Sequence, residues 1–108
     1  MRITEAAWDE LLGAAAHYEG RSAGVGYQFL LDFDRLIDQI ETFPDAGLLV
    51  QPGLRQRLVP NFPYLVFYTT EAAGPEVIAV AHTSRRAQSW TERWEVRETA
   101  AAYLQLAA

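Results

Sequence analysis

The sequence has 108 residues, of which 50% are hydrophobic and 21% charged, a balance typical of one ordinary globular domain. Nine basic residues, all of them arginine, are outnumbered by fourteen acidic ones, so the formal net charge is −5 and the chain lacks the overall basic footprint of a nucleic-acid-binding protein. The chain has no cysteine, no apolar run that could span a membrane and no secretory leader pattern, which excludes disulfide and thiolate chemistry and leads us to expect a cytoplasmic protein without metal or cofactor.

The N-terminal segment predicts a very short strand followed by a helix. Residues 1–3 can form only a minimal strand, and Thr4 is a suitable N-cap for the helix that follows. Helical spacing relates Trp8, Leu11, Leu12, Ala15 and Tyr18, which we therefore expect on one apolar face. The turn-forming residues 20–24 should end this helix.

A second helix is predicted more clearly than any other element, because its apolar positions form a continuous stripe. Pro44 should end it just after Phe43. The stripe consists of Phe29, Phe33, Leu36, Ile37, Ile40 and Phe43, and the remaining face carries Asp32, Asp34, Arg35, Asp38 and Glu41. The short connection between the two helices predicts an antiparallel hairpin.

Three strands should follow, at residues 54–59, 64–70 and 77–82, with tight turns between them. The predicted fold class is therefore α+β: an N-terminal antiparallel helical hairpin packed on a small, mainly antiparallel sheet of three to four strands. A C-terminal helix is expected from about Ser89, with a sparse apolar face.

Several polar residues could carry a function or could be structural. On the first of these strands, Arg55 and Arg57 share one face and Leu58 lies on the other. With Arg85 and Arg86 they could hold carboxylates or phosphates, or they could form a solvated charged face.

The two histidines and the aromatic residues around the second predicted strand favour structural roles. His17 is read as a solvated helix-end residue, and His82 as more often a hydrogen-bonding residue than a general base. The aromatic residues Phe62, Tyr64, Phe67 and Tyr68 fit a two-faced strand better than a base-stacking platform.

The order of six short motifs gives a more specific indication. Ranges 14–19, 24–30, 43–47, 55–59, 61–68 and 80–86, followed by Trp90, together resemble the ParE/RelE toxin superfamily, on its ParE-like, plasmid-stabilisation side. The resemblance covers residues 1–93 as a toxin domain and leaves 94–108 as a C-terminal helical extension. It implies a toxin that is neutralised by a cognate antitoxin and that forms a hetero-oligomer with it.

The superfamily has two activities, and the residues favour the protein-binding one. In RelE-like members, basic residues on the sheet cleave messenger RNA on the ribosome, whereas the matching positions here are Gln56, Leu58 and Leu65, and Trp90 stands where many members have tyrosine. Indole has no ionisable hydroxyl for acid–base work. The resemblance therefore implies a ParE-like toxin that binds a protein target, DNA gyrase in that branch, without direct nucleic-acid binding and without catalytic residues.

The predicted surface for partner or target is an apolar sheet face of Leu58, Leu65 and Phe67, rimmed by arginine. The residues predicted to make contacts are Arg55, Arg57, Leu58, Leu65, Arg85, Arg86 and Trp90. Two alternatives remain: a ribosome-dependent endoribonuclease with a site of Arg57, His82, Arg85 and Arg86, and a non-toxic module that only binds its partner.

Overall fold

The structure, a computed structural model, describes residues 1–70 and 73–84. In chain order the elements are β1 (Arg2–Ile3), α1 (Glu5–Arg21), α2 (Val25–Thr42), a 3-10 turn (Pro44–Ala46), β2 (Leu48–Gln51), β3 (Leu54–Leu58), β4 (Tyr64–Thr69) and β5 (Glu76–His82). The strands form one sheet in the order β1-β5-β4-β3-β2, in which β1 runs parallel to β5 and every other neighbouring pair is antiparallel. In the described part of the chain, no helix is long and apolar enough to cross a membrane.

The α+β fold of a helical hairpin on a mainly antiparallel sheet is confirmed. Among the described residues the sheet has five strands where three to four were predicted, because β2 is an additional strand that the sequence analysis missed. It pairs with β3 across the turn at Pro52 and Gly53, and Gly53 has the positive φ of 79° that such a turn favours. The predicted C-terminal helix and the 94–108 extension lie outside the described residues.

Side-chain hydrogen bonds to the backbone cap the start of α1 and join its end to the start of α2. The hydroxyl of Thr4 accepts a hydrogen bond from the Ala7 N–H at 3.2 Å, which confirms the predicted N-cap of α1. Near the other end of α1, the carboxylate of Glu19 accepts hydrogen bonds from the N–H groups of Gly24 and Gly26 at the start of α2. These bonds satisfy backbone donors that the first turn of a helix leaves without partners.

The main core lies between the hairpin and one face of the sheet. It contains the α2 stripe from Phe29 to Ile40 together with strand residues such as Val66 and Val80. Three apolar positions predicted to join it do not: Phe43 is 65% exposed, Trp8 47% and Leu12 44%. Phe43 is the C-cap residue with φ −131° and ψ 70°, so the chain has already left the helical path there.

Asp32 also departs from the sequence analysis, which placed it on the polar face of α2, outside the apolar stripe. The residue is 2% exposed. Its carboxylate accepts hydrogen bonds from the side-chain amides of Gln28, at 2.9 Å, and Asn61, at 3.3 Å, and Arg35 lies 3.7 Å away. A buried carboxylate needs such partners, and these link α2 to the β3–β4 turn.

The aromatic residues predicted to be structural pack within the protein. Phe62 and Tyr64 each meet Tyr18 and Phe29 in edge-to-face contacts, with ring centroids 4.9–6.0 Å apart. Burial raises the pKa of the Tyr18 hydroxyl, helped by the nearby Tyr64 and opposed by Arg21. The structural interpretation of these aromatic residues is therefore confirmed, and base stacking on them is not supported.

Candidate partner-binding surface of the sheet

The two faces of the sheet differ in what covers them among the described residues. The helix-covered face carries Val66 and Tyr68, which belong to the same cluster as the α1 and α2 core residues. The second face carries a separate cluster made only of strand residues, with Leu54, Phe67 and Ala79 at its centre. Because side chains alternate along a strand, each residue of β3 belongs to one face or the other.

The alternation predicted for β3 is confirmed, with consequences for the arginines. Arg55 lies opposite Tyr68 in the sheet register and Arg57 opposite Val66, so both belong to the helix-covered face. Leu58 lies opposite Leu65 and belongs to the second face. The described arginines therefore do not rim the apolar face, and this part of the prediction is wrong.

Both guanidinium groups are bound to other parts of the same chain. Nη1 of Arg55 donates hydrogen bonds to the carbonyl oxygens of Gly47, at 2.9 Å, and Asp45, at 3.1 Å. Nη2 of Arg57 donates to the side-chain oxygen of Gln39 on α2 at 2.7 Å. Arg55 thus fastens β3 to the segment that connects α2 with the sheet, and Arg57 fastens β3 to α2 itself.

An apolar area remains accessible at the margin of the second face. Leu58 is 55% exposed, and it faces the half-buried Leu65 across the β3–β4 pair. Leu48 on β2 is 66% exposed and pairs with Gln56, which makes it a diagonal neighbour of Leu58 on the same face. We call Leu48, Leu58 and Leu65 the margin patch.

The margin patch differs from the predicted surface in two residues. Phe67, expected at an exposed centre, is 1% exposed and belongs to the buried cluster of the second face. Leu48 was missed because β2 was missed. The apolar run at 48–50 before the Pro52-Gly53 turn is the sequence signal that could have found it.

His82 makes local contacts at the end of β5. Its Nδ1 atom accepts a hydrogen bond from the Ser84 N–H at 3.0 Å and lies 2.7 Å from the Ser84 hydroxyl. Its ring makes an edge contact with Tyr64, at 5.3 Å between centroids. His17, the other histidine, is exposed on α1, as predicted.

The described members of the alternative ribonuclease site do not converge. Arg57 is on β3 and His82 on β5, with β4 between them, so their backbones are about 10 Å apart or more. Each is engaged by a different neighbour, Gln39 and Ser84 respectively. Arg85, Arg86 and Trp90, which complete the predicted sets, lie outside the described residues.

The geometry defines a small α+β protein in which a helical hairpin covers one face of an antiparallel sheet and apolar residues line the other. The fold is similar to that of a chain in the solved structure described as "Chromosomal ParDE TA system from P. aeruginosa". The TM-score is 0.67 and the sequence identity 13%, over 75% of this chain and 91% of that chain. At this identity the likeness shows the fold, and it confirms the fold that the motif resemblance implied.

No protein-family model matches the sequence, and no curated protein matches it either.

Proposed function

We propose that this protein is the toxin of a toxin–antitoxin pair, of the ParE-like kind that arrests growth by binding a protein target and is neutralised by its cognate antitoxin. The observation that carries the proposal is the structural likeness to a chain of a ParDE system, found for the same chain whose ordered motifs resemble ParE-like toxins. DNA gyrase is the target that the motif resemblance implies. In this proposal Arg85, Arg86 and Trp90 remain contact residues together with the margin patch.

The accessible chemistry of the sheet supports binding over catalysis. The margin patch offers exposed leucine side chains, and apolar side chains at the centre of a surface are typical of protein interfaces. A ribonuclease must stabilise charge on a phosphate in its transition state, for which positioned cations are needed. Arg57, the described cation of the alternative site, donates to Gln39 instead.

The proposal is tested by inducing the protein alone and then together with the product of the neighbouring gene. We expect growth arrest in the first case and its relief in the second. The purified protein should reduce gyrase supercoiling, and transcripts from arrested cells should be intact by primer extension. Codon-registered cuts that Arg86→Ala abolishes would replace this proposal with the ribonuclease. Absence of any growth effect would favour the non-toxic binding module.

A matched pair of variants tests the margin patch itself. Leu58→Glu places a charge in the patch and should relieve arrest and weaken target binding by at least about tenfold, because an unpaired charge is costly in an apolar contact. Leu49→Glu is the control, since Leu49 is 54% exposed on β2 and pairs with Arg55, on the other face. Equal toxicity of both folded variants would remove the patch from the proposed surface.

A further inference from the structure

The two edges of the sheet are protected to different degrees. On one edge, β5 extends beyond the two residues of β1, and side chains bind its outer backbone groups. The N–H of Val80 donates a hydrogen bond to the Glu10 carboxylate at 3.1 Å, and the carbonyl oxygen of Ile78 accepts one from the Thr4 hydroxyl at 3.4 Å. On the other edge β2 is the last strand, and among the described residues only β3 hydrogen-bonds to its backbone. An unprotected strand edge is a template for pairing with another strand.

The free edge of β2 is apolar on both sides of the sheet. Leu48 belongs to the second face and Leu49 to the helix-covered face, and both are more than half exposed. Phe43, at the end of α2 that leads into β2, is exposed as well, so three large apolar side chains are exposed within residues 43–49. Residues 46–54 include no charged residue, although charges are a common protection of strand edges. We call Leu48–Gln51, with its outer backbone groups, the β2 edge.

We propose that the β2 edges of two copies of this chain pair in antiparallel orientation and join the two sheets into one across a two-fold axis. Two-fold homodimers are the most common soluble oligomers, and each copy contributes the same surface to such a contact. With the axis at Leu49, this residue lies opposite Leu49 of the second copy, and Leu48 lies opposite Val50 of the second copy. Opposed residues of an antiparallel pair share a face of the sheet, so both exposed leucines gain an apolar neighbour.

The composition of the β2 edge selects a second copy as its occupant. A strand that covers this edge must be apolar on both faces, because Leu48 and Leu49 point to opposite faces, and β2 itself has that pattern. The chain carries a formal charge of −5, but the contact brings no like charges together. Asp45, the acidic residue next to the edge in the sequence, lies at opposite ends of the pair in the two copies. The two margin patches come to lie on the same side of the joined sheet.

The pairing should be weak. The register between β2 and β3 shifts between Leu49 and Gln51, so the regular part of the edge is short. A contact of this length belongs to the small interfaces that bury less than about 1,200 Å² in total, which are typical of transient pairs. We therefore expect a dissociation constant on the order of tens of micromolar. The proposal goes beyond the proposed function, because it requires neither toxicity nor any particular cellular target.

Sedimentation equilibrium of the full chain tests the pairing. The unaltered protein should change from monomer to dimer between about 1 and 500 µM. Leu49→Glu should raise the dissociation constant at least about tenfold, because it places two carboxylates together at the axis. Leu12→Glu is the matched control at an exposed leucine on α1 and should dimerise as the unaltered protein does. A monomer at every concentration, or a dimer that Leu12→Glu dissociates and Leu49→Glu does not, would overturn the proposal.

A disulfide cross-link tests the position of the axis. The chain has no cysteine, so Leu49→Cys introduces the only thiol. Opposed residues of an antiparallel pair have Cβ atoms about 4.5–5.5 Å apart, close to the separation that a disulfide needs. Under mild oxidation Leu49→Cys should form a covalent dimer at least about tenfold faster than Tyr27→Cys, at a more exposed position. Equal rates would contradict the antiparallel pairing about Leu49.

Growth arrest separates this proposal from the proposed function. Leu49→Glu should lose the dimer and still arrest growth, because Leu49 lies outside the margin patch. Leu58→Glu should lose growth arrest and still dimerise, because Leu58 is on β3 and not on the β2 edge. Either proposal can therefore fail alone.

Discussion

The carboxylate of Glu19 accepts a hydrogen bond from the backbone N–H of Gly26 at 3.0 Å and so joins the end of α1 to the first turn of α2. The same carboxylate accepts two contacts from the N–H of Gly24, at 2.9 and 3.1 Å. Gly24 is the N-cap of α2 and contributes no side-chain hydrogen bond of its own, so Glu19 supplies the cap from the preceding helix. The Gly24 bond is the main reason why the pKa of Glu19 is lowered, and burial partly opposes it.

Replacing this carboxylate should make the stability depend on pH in a defined way. Because the pKa of Glu19 is lowered in the folded state, its ionised form stabilises the fold above the ordinary value of 4.5, and this contribution is lost as the pH falls through the lower, folded-state pKa. Glu19→Gln should therefore melt below the unaltered protein at pH 7, and the difference should shrink in acid. Thermal melts by circular dichroism across pH 3–7 measure the difference in melting temperature between the two proteins. A difference that stays constant with pH would contradict the prediction.

A methyl group at Gly26 should destabilise the hairpin although alanine is the better helix former. A Cβ there would meet the carbonyl oxygen of Ala15 and the Cβ of Glu19, so the helices must separate. We expect Gly26→Ala to cost about 1–3 kcal/mol, the usual range for overpacking. Gly13→Ala is the control, because a Cβ there meets nothing within 4 Å and should stabilise α1 by about 0.5–1 kcal/mol. Urea unfolding measures the change in the free energy of unfolding for both variants. If both changes have the same sign, the close approach of α1 to Gly26 is refuted.

The hydroxyl of Tyr68 should hold the segment between α2 and β2. It donates to the carbonyl oxygen of Pro44 at 2.8 Å and accepts from the N–H of Gly47 at 3.1 Å. Burial raises the pKa of this phenol, which stays the neutral donor that the geometry requires. Tyr68→Phe should cost about 1–3 kcal/mol by leaving both backbone groups without this partner. Tyr27→Phe, at a 66% exposed position, should leave the free energy of unfolding nearly unchanged in a urea titration. If the two variants lose similar amounts of stability, the hydrogen bonds of the Tyr68 hydroxyl do not contribute.

Truncation should lower the free energy of unfolding strongly at one phenylalanine of the predicted α2 stripe and hardly at all at another. Phe33 is 4% exposed within the core cluster, whereas Phe43 is 65% exposed at the helix end. Phe33→Ala should lower the free energy of unfolding by about 3–5 kcal/mol, enough to unfold much of so small a domain. Phe43→Ala should change it by about 0.5 kcal/mol or less. If Phe33→Ala melts like the unaltered protein, the packing of the hairpin on the sheet is incorrect.

The sequence by itself determined the order of every described helix and strand except β2, and the central pairing of the sheet. The 3.6-residue period of α2, the N-cap at Thr4, and the alternation along β3 and β4 are local patterns, because each depends on neighbouring residues and on backbone geometry. For that reason α1, α2, β3, β4 and β5 were all predicted close to their observed bounds. The order of motifs likewise implied the fold that the structural comparison confirms.

Only the tertiary structure decided which of the predicted apolar positions are buried and which polar side chains find partners. Helical spacing assigns Trp8 and Leu12 to an apolar face, but whether a second element reaches that face depends on how the hairpin sits on the sheet. Sequence alternation separates Arg57 from Leu58, but Gln39, which binds Arg57, lies 18 residues away along the chain. Contacts between distant residues decide which side chains are buried and which are bound by a partner, and no local period encodes them, so the margin patch became visible only in the folded chain.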